Sequence, residues 1–428
     1  MREDRTDPLL LPRIVVPPPG PRSRALSARL GELEAPGVNT LFAGAPSLLW
    51  EEARGANVRD VDGNLYIDVT SGFGVAAVGH AHPEVVRAIR EQAGVLLHGL
   101  GDVHAHPLRV ELAERLVRLA PVDDPQVFFS ISGAEAVEIA LKTAVAATRR
   151  GGIMAFEPSY HGMTIGALAV TSRPAFRDPF RALLHAHVRR LPFGCDPARI
   201  GEELRQGDVA AVIVEPVVGR EGVLVPPPGW LSALAHLCRE AGTVLVADEI
   251  FTGFGRTGTL FAVDAEGVRP DLLCCGKALG GGLPIAAVVG RRPLFRAWET
   301  PGEALHTATF LANPLACAAA LATLAIIERE DLPARAARLG PEVGARLTAW
   351  RDRFPGTVAA VRGRGLLWGI ELATPEAAKR WTGEALQRGI LMLAGGPEGK
   401  VAQLVPPLTI AEEQLAAALD LLEKALSA

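Results

Sequence analysis

Two short, wholly apolar runs constrain this chain more than any other feature. Val244-Leu245-Val246-Ala247 ends in Asp248-Glu249, and Leu272-Leu273-Cys274-Cys275 ends in Gly276-Lys277, followed by Gly280-Gly281-Gly282. Runs of four apolar residues bounded by polar and glycine positions read as strands buried on both faces, as in a parallel sheet covered by helices. An acid and a lysine then stand where two such strands end.

The same pattern recurs along the chain. From residue 107 to about 325, apolar runs at 127–131, 152–156, 210–214, 244–248, 272–275 and 285–289 alternate with amphipathic stretches such as 135–147 and 230–241. This rhythm predicts an α/β fold with a mostly parallel sheet and helices on both faces. Ligands of such sheets bind just past the carboxyl ends of the strands, where Ser132, Glu215, Asp248 and Lys277 lie. Upstream, DVDGNLYID (60–68) predicts a hairpin about Asp62-Gly63, and His82-Pro83 opens a helix through Val85, Val86, Ile89 and Val95. After Ile327 a helix through Ala336, Leu339, Val343, Leu347 and Trp350 leads to strands at 363–372 and 400–405 and a closing helix from Ala411.

The expected organisation is an N-terminal arm (1–36), a segment joining the small domain (37–75), a large domain (76–328) and a small C-terminal α+β domain (329–428). Pro8, Pro12, Pro17-Pro18-Pro19 and Pro21 exclude a regular element in the arm, which either wraps a neighbour or is a disordered tail.

An apolar fraction of 49% against 21% charged excludes a disordered chain, and a net charge of −4 gives no general affinity for nucleic acid or anionic membrane. No apolar run reaches a membrane span and no signal peptide is visible. The five cysteines are odd in number and lie in apolar or helical contexts, so they read as free thiols of a reducing compartment. A cytoplasmic protein is expected.

The lysine and the acid suit pyridoxal 5'-phosphate (PLP). A lysine forms an imine with the cofactor aldehyde, and a carboxylate keeps the pyridine nitrogen protonated so that the ring accepts electrons. Nearby glycines let backbone approach a flat ring. Ser132-Gly133-Ala134-Glu135 follows a strand and opens a helix. It reads as a helix cap, and equally as a phosphate site made of free backbone N–H groups. Tyr160-His161-Gly162 offers an aromatic ring for stacking or for loop packing. Thr307 and Thr309 offer hydroxyls for a phosphate or a polar turn. His98, His104 and His106 lack the cysteine or Glu-x-x-His pattern of a metal site, so no metal is expected.

Together these segments resemble the class III PLP-dependent aminotransferases of fold type I, over residues 35 to 428. The matching segments are collinear: DVDGNLYID, GHAHPEVV, SGAEAVEIALK, YHGMT, VEPVVGREG, DEIFTGFGRTG, GKALGGGLP, HTATFLANPLA, VRGRGLLWGIEL and PPLTI. From Tyr160 onward they look most like putrescine and other ω-amine aminotransferases, and the opening PRIVVPPPGPRSRAL looks like the arm of 4-aminobutyrate aminotransferases and some archaeal racemases. The resemblance implies a large domain with a seven-stranded sheet and a small α+β domain. It implies Lys277 as imine lysine and proton shuttle and Asp248 as partner of the pyridine nitrogen. Ile250 would pack behind the ring and Tyr160 in front. Gly133 and Ala134 would give N–H groups to the phosphate, with Ser132 nearby. Thr309 would reach the phosphate of a partner subunit, making a homodimer with shared active sites. Glu215, Gln403, Met163 and Phe73 would line the substrate side.

Three positions depart from the family pattern. A glutamine toward the cofactor's phenolic oxygen is replaced by Phe251. An arginine that grips a distal carboxylate in many members is replaced by Met163, and the arginine for the α-carboxylate is replaced by Gln403. Glutamine does not reproduce the two charge-assisted hydrogen bonds of an arginine fork. Glu215 is then expected as a free acid facing the pocket. The implied function is amino transfer from an amine to an oxo acceptor through a pyridoxamine intermediate, with ω-amines, diamines or amino sugars favoured as donors. The acceptor's carboxylate would need a positive group such as Arg220, Arg256 or Lys400. A racemase, lyase or decarboxylase on the same scaffold stays open. So do an amino-acid aminotransferase of 4-aminobutyrate or acetylornithine type with a relocated carboxylate anchor, and a non-catalytic binding protein.

Overall fold

The computed structural model describes residues 9–38 and 47–427. Trp50–Arg54 (β1), Asn57–Asp60 (β2) and Leu65–Asp68 (β3) come first. The next seven strands form one sheet: Pro125–Ser130 (β4), Gly152–Glu157 (β5), Val188–Pro192 (β6), Val209–Val214 (β7), Val244–Asp248 (β8), Leu272–Cys275 (β9) and Ala286–Arg291 (β10). Their order is β4-β10-β9-β8-β7-β5-β6. From β9 to β6 every pairing is parallel, whereas β10 runs antiparallel to both its neighbours.

Alternation along the strands sorts side chains between two cores. Ile153, Ala155, Ala211, Ile213, Val244, Val246, Leu272, Cys274, Ala286 and Val288 pack with the helix Gly133–Thr148. Their neighbours Met154, Phe156, Val212, Val214, Leu245, Ala247, Leu273, Cys275, Ala287 and Val289 join the other core, with Leu231, Leu234 and Cys238 of the helix Trp230–Glu240. Each fully buried Val, Leu or Ile contributes roughly 1.5–3 kcal/mol, which is why these strands tolerate no polar position. By the same alternation Asp248 follows Val244 and Val246 and projects toward the Gly133–Thr148 side.

The sequence pattern missed β6. Its residues Arg189, Arg190 and Pro192 suit only an edge strand, and β6 is the edge.

Val358–Arg364 (β11), Leu367–Leu372 (β12), Ile390–Leu391 (β13), Leu393–Gly395 (β14) and Val401–Leu404 (β15) complete the strands. One four-stranded sheet has the order β11-β12-β15-β14, and β13 adds in parallel to β3 in the sheet β1-β2-β3-β13. The hairpin β2–β3 turns where predicted. Buried Asp60 accepts from Asp62 N, Asn64 N and Asn64 Nδ2 (each 2.9 Å) and from Tyr66 Oη (2.7 Å).

The arm corrects the expectation of no regular element. Pro21 occupies the first position of a helix, Pro21–Leu33, where a missing N–H removes no intrahelical bond. Asp62 holds that helix start, accepting from Arg22 N (2.7 Å) and Ser23 N (2.8 Å). Ahead of it the arm lies on this chain's own hairpin: Arg13 pairs with Leu65, and Val15 N and Val16 N donate to Asn64 Oδ1 (2.8 and 3.0 Å).

Candidate active site

Five loops meet at the carboxyl edge of the large sheet. They follow β4 (Ser132–Ala134), β5 (Tyr160–Met163), β7 (Glu215–Arg220), β8 (Glu249–Phe251) and β9 (Gly276-Lys277).

Lys277 sits in the left-handed region at φ +41°, directly after Gly276. The residue is half-buried, and its ammonium lies 4.6 Å from the centre of the Phe251 ring. Burial pushes its pKa below the ordinary lysine value. Asp248 and Glu215 oppose that shift and Arg220 adds to it. A lowered pKa raises the share of free amine, the nucleophilic form.

Asp248 is 4% exposed, and its Oδ2 lies 2.6 Å from Nδ1 of buried His161. Its Oδ1 accepts from Ile250 N at 3.2 Å. With Nδ1 donating to the carboxylate, His161 Nε2 is left enclosed without a partner among the described residues. Nothing in the sequence alone marks His161 for a role. Its only signal was its place between Tyr160 and Gly162, on a strand end two strands from Asp248.

Ser132 caps the helix Gly133–Thr148 by accepting from Glu135 N at 3.2 Å. The reciprocal bond of the expected capping box shifts by one residue, because Glu135 Oε2 accepts from Ile131 N (2.7 Å). Among the described residues the N–H groups of Gly133 and Ala134 have no acceptor, as a phosphate site at a helix start requires. Small residues make the convergence possible. A Cβ on Gly133 would come within 2.9 Å of Ile250 Cδ1, and one on Gly162, at φ +130°, within 2.6 Å of Ala134 Cβ.

Glu215 is not the free acid expected. It accepts from Tyr160 N and Gly219 N, both at 2.9 Å. Burial pushes its pKa up to about 7, against the influence of His161 and those two N–H groups and with that of Asp248. Gln403 is also engaged, since its Nε2 donates to Gly219 O (3.0 Å) and Arg220 O (3.1 Å). The Gly219-Arg220 turn is therefore held from both sides. Phe251 packs under it, and a Cβ on Gly219 would come within 2.3 Å of Phe251 Cδ1. The guanidinium of Arg220 lies over the Tyr160 ring at 4.3 Å.

Phe73, at φ +63° and 57% exposed, lies on the Ser71–Gly74 turn, which abuts Phe251 and Lys277 at Gly74. Met163 is exposed. Thr309 lies on an exposed loop against Gly101, and the interactions around Lys277 do not include it. His106 caps the helix Pro107–Leu119 and donates from Nε2 to Ala312 O (2.8 Å), while His98 tilts against Phe310. Among the described residues no His, Cys, Asp and Glu side chains group as a metal site.

This set of groups fits PLP. It offers an amine of lowered pKa, a buried carboxylate fixed by an imidazole, unpartnered N–H groups at a helix start, and glycines that leave room for a flat ring.

The profile of the family "Aminotransferase class-III" matches residues 43–426. The acetylornithine aminotransferase of Methanopyrus kandleri is 42% identical over 87% of this chain and 93% of its own length. The crystal structure of the ornithine aminotransferase from Toxoplasma gondii superposes with a TM-score of 0.85 at 31% identity, covering 94% of each chain. An amine transaminase from an uncultivated Pseudomonas species, in its PLP-bound form, gives 0.83 at 30% identity over 92% of this chain and 99% of that one.

Proposed function

The chain belongs to the class-III aminotransferases, PLP-dependent transaminases of fold type I, and from that premise we propose that it takes the amino group of an ω-amine, diamine or amino sugar and passes it to an oxo acid. The observation that carries the donor class is the double loss of arginine. Position 403 holds a glutamine tied to backbone carbonyls, and position 163 an exposed methionine. A donor with both an α- and a distal carboxylate finds no fork at either position.

PLP, when bound, supplies an aldehyde for amine exchange and a ring that draws the electron pair from the substrate carbon. Lys277 Nζ is the amine for that exchange, and burial, by lowering its pKa, raises the share of free base that can take the proton from the substrate carbon. Asp248 presents a fixed negative charge, oriented by His161 Nδ1 and Ile250 N. The Gly133 and Ala134 N–H groups, with the positive end of their helix, would hold the phosphate. Ile250 and Tyr160 would border the ring.

We propose a homodimer in the cytoplasm. Exposed Val95, Leu97, Leu100, Val103, Leu305 and Phe310 form an apolar surface on two segments joined by Asn313 Nδ2 to Leu97 O and Thr307 Oγ1 to Asp102. Thr309 is exposed beside Phe310 on this surface, where a second copy covering it would meet it. Buried free thiols suit a reducing compartment.

Donor profiling with pyruvate tests the substrate class. Diamines and ω-amines should turn over at least tenfold faster than glutamate. Glutamate turnover equal to theirs contradicts the proposal.

A further inference from the structure

An oxo acid needs a carboxylate grip, and the two usual positions do not provide one. Of the three cations the sequence offers, two are already engaged. Arg256 is buried in the protein interior, where its Nη1 donates to Leu366 O and Pro406 O and only its enclosed Nη2 lacks an acceptor among the described residues. Lys400 Nζ lies 3.2 Å from Glu371 and 3.0 Å from Glu398. Their neighbours are paired too, Arg173 with Glu221 (2.8 Å) and Arg362 with Glu371 (2.6 Å).

Arg220 differs from all four. Among the described residues its guanidinium has no carboxylate partner and no hydrogen-bond acceptor. It lies 4.3 Å from the centre of the Tyr160 ring and 5.1 Å from that of Phe176. Such stacking orients the plane but leaves every N–H free to donate. Its backbone is fixed as well, because Glu215 takes Gly219 N while the Gln403 amide takes Gly219 O and Arg220 O. Its charge is felt at Lys277, so the two side chains share one electrostatic environment.

We propose that Arg220 is the carboxylate grip of this pocket, with Gln403 as its positioning residue, and that its fork takes the single carboxylate of a 2-oxo monocarboxylate acceptor. The arginine has in effect moved from β15 to the loop that β15 clamps. One fork serves one carboxylate, so pyruvate should outrank 2-oxoglutarate. This inference rests on the transaminase reading above.

Propionate, which carries the carboxylate but no oxo or amino group, tests it by calorimetry on the holoenzyme. Wild type should bind propionate at least tenfold more tightly than propionamide. Arg220→Met should abolish that preference while retaining its visible cofactor band, Arg220→Lys should restore part of it, and Arg220→Met should raise the KM for pyruvate at least tenfold. Propionate held equally by wild type and Arg220→Met, or no better than propionamide by wild type, overturns the inference. Should Arg220→Met fail to fold, Arg220→Lys decides, because a lysine lacks the planar fork and must weaken propionate measurably. The titration needs no turnover, so its outcome is separate from whether amino transfer occurs.

Discussion

Asp248, His161 and Lys277 show what single side chains can reveal and what they hide. Lys277 and Asp248 stand out in the sequence because each closes an apolar run, and the structure places both at the carboxyl edge of the large sheet. Lys277→Ala should lose both the bond that borohydride traps and its proton carrier, lowering turnover by roughly 10²–10⁴ or more. Peptide mapping after borohydride reduction checks the first effect, and a labelled lysine other than Lys277 would refute the assignment. Asp248→Asn should fold normally yet lose about 10²–10³ in rate, because the fixed charge is gone. His161 was not legible, and neither were the bonds that engage Glu215, since both depend on loops brought together across strands. Glu215 makes a pH prediction. Its folded pKa of about 7 lies above the ordinary 4.5, so its stabilising contribution is present below about pH 4.5 and is lost as pH rises through 7. Denaturation of the apoprotein at pH 5 and pH 8 should therefore show Glu215→Gln gaining roughly 2 kcal/mol on wild type across that interval. A difference independent of pH would mean that Glu215 titrates normally.

At the scale of elements, β7, β8 and β9 were read from sequence to within a residue because burial on both faces removes every polar position. Edge strand β6 and the arm helix Pro21–Leu33 were hidden by arginines and prolines, which edges and helix starts tolerate. The turn carrying Arg220 depends on one glycine. Gly219→Ala would push a methyl against Phe251, displacing the loop while the phosphate site stays intact. The variant should keep its cofactor band and weaken propionate at least tenfold. Phe251→Ala in the same chain should recover part of the affinity. No recovery would mean that the loop is displaced by something other than Phe251.

For the whole molecule, the sheet order could be anticipated only in outline, since β10 reverses direction without a sequence signal. The exposed apolar surface at 95–103 and 305–310 predicts a dimer by sedimentation, and Leu100→Glu should shift it toward monomer and loosen cofactor retention. A wild-type monomer that retains its cofactor would contradict shared sites. The most direct measurement is a half-reaction. Holoenzyme mixed with a diamine and no oxo acid should lose its visible aldehyde band, one site per amine consumed, and pyruvate should restore it. A band that stays unchanged while the amine is consumed would show a reaction that returns the aldehyde each cycle, as in a lyase, and would contradict amino transfer.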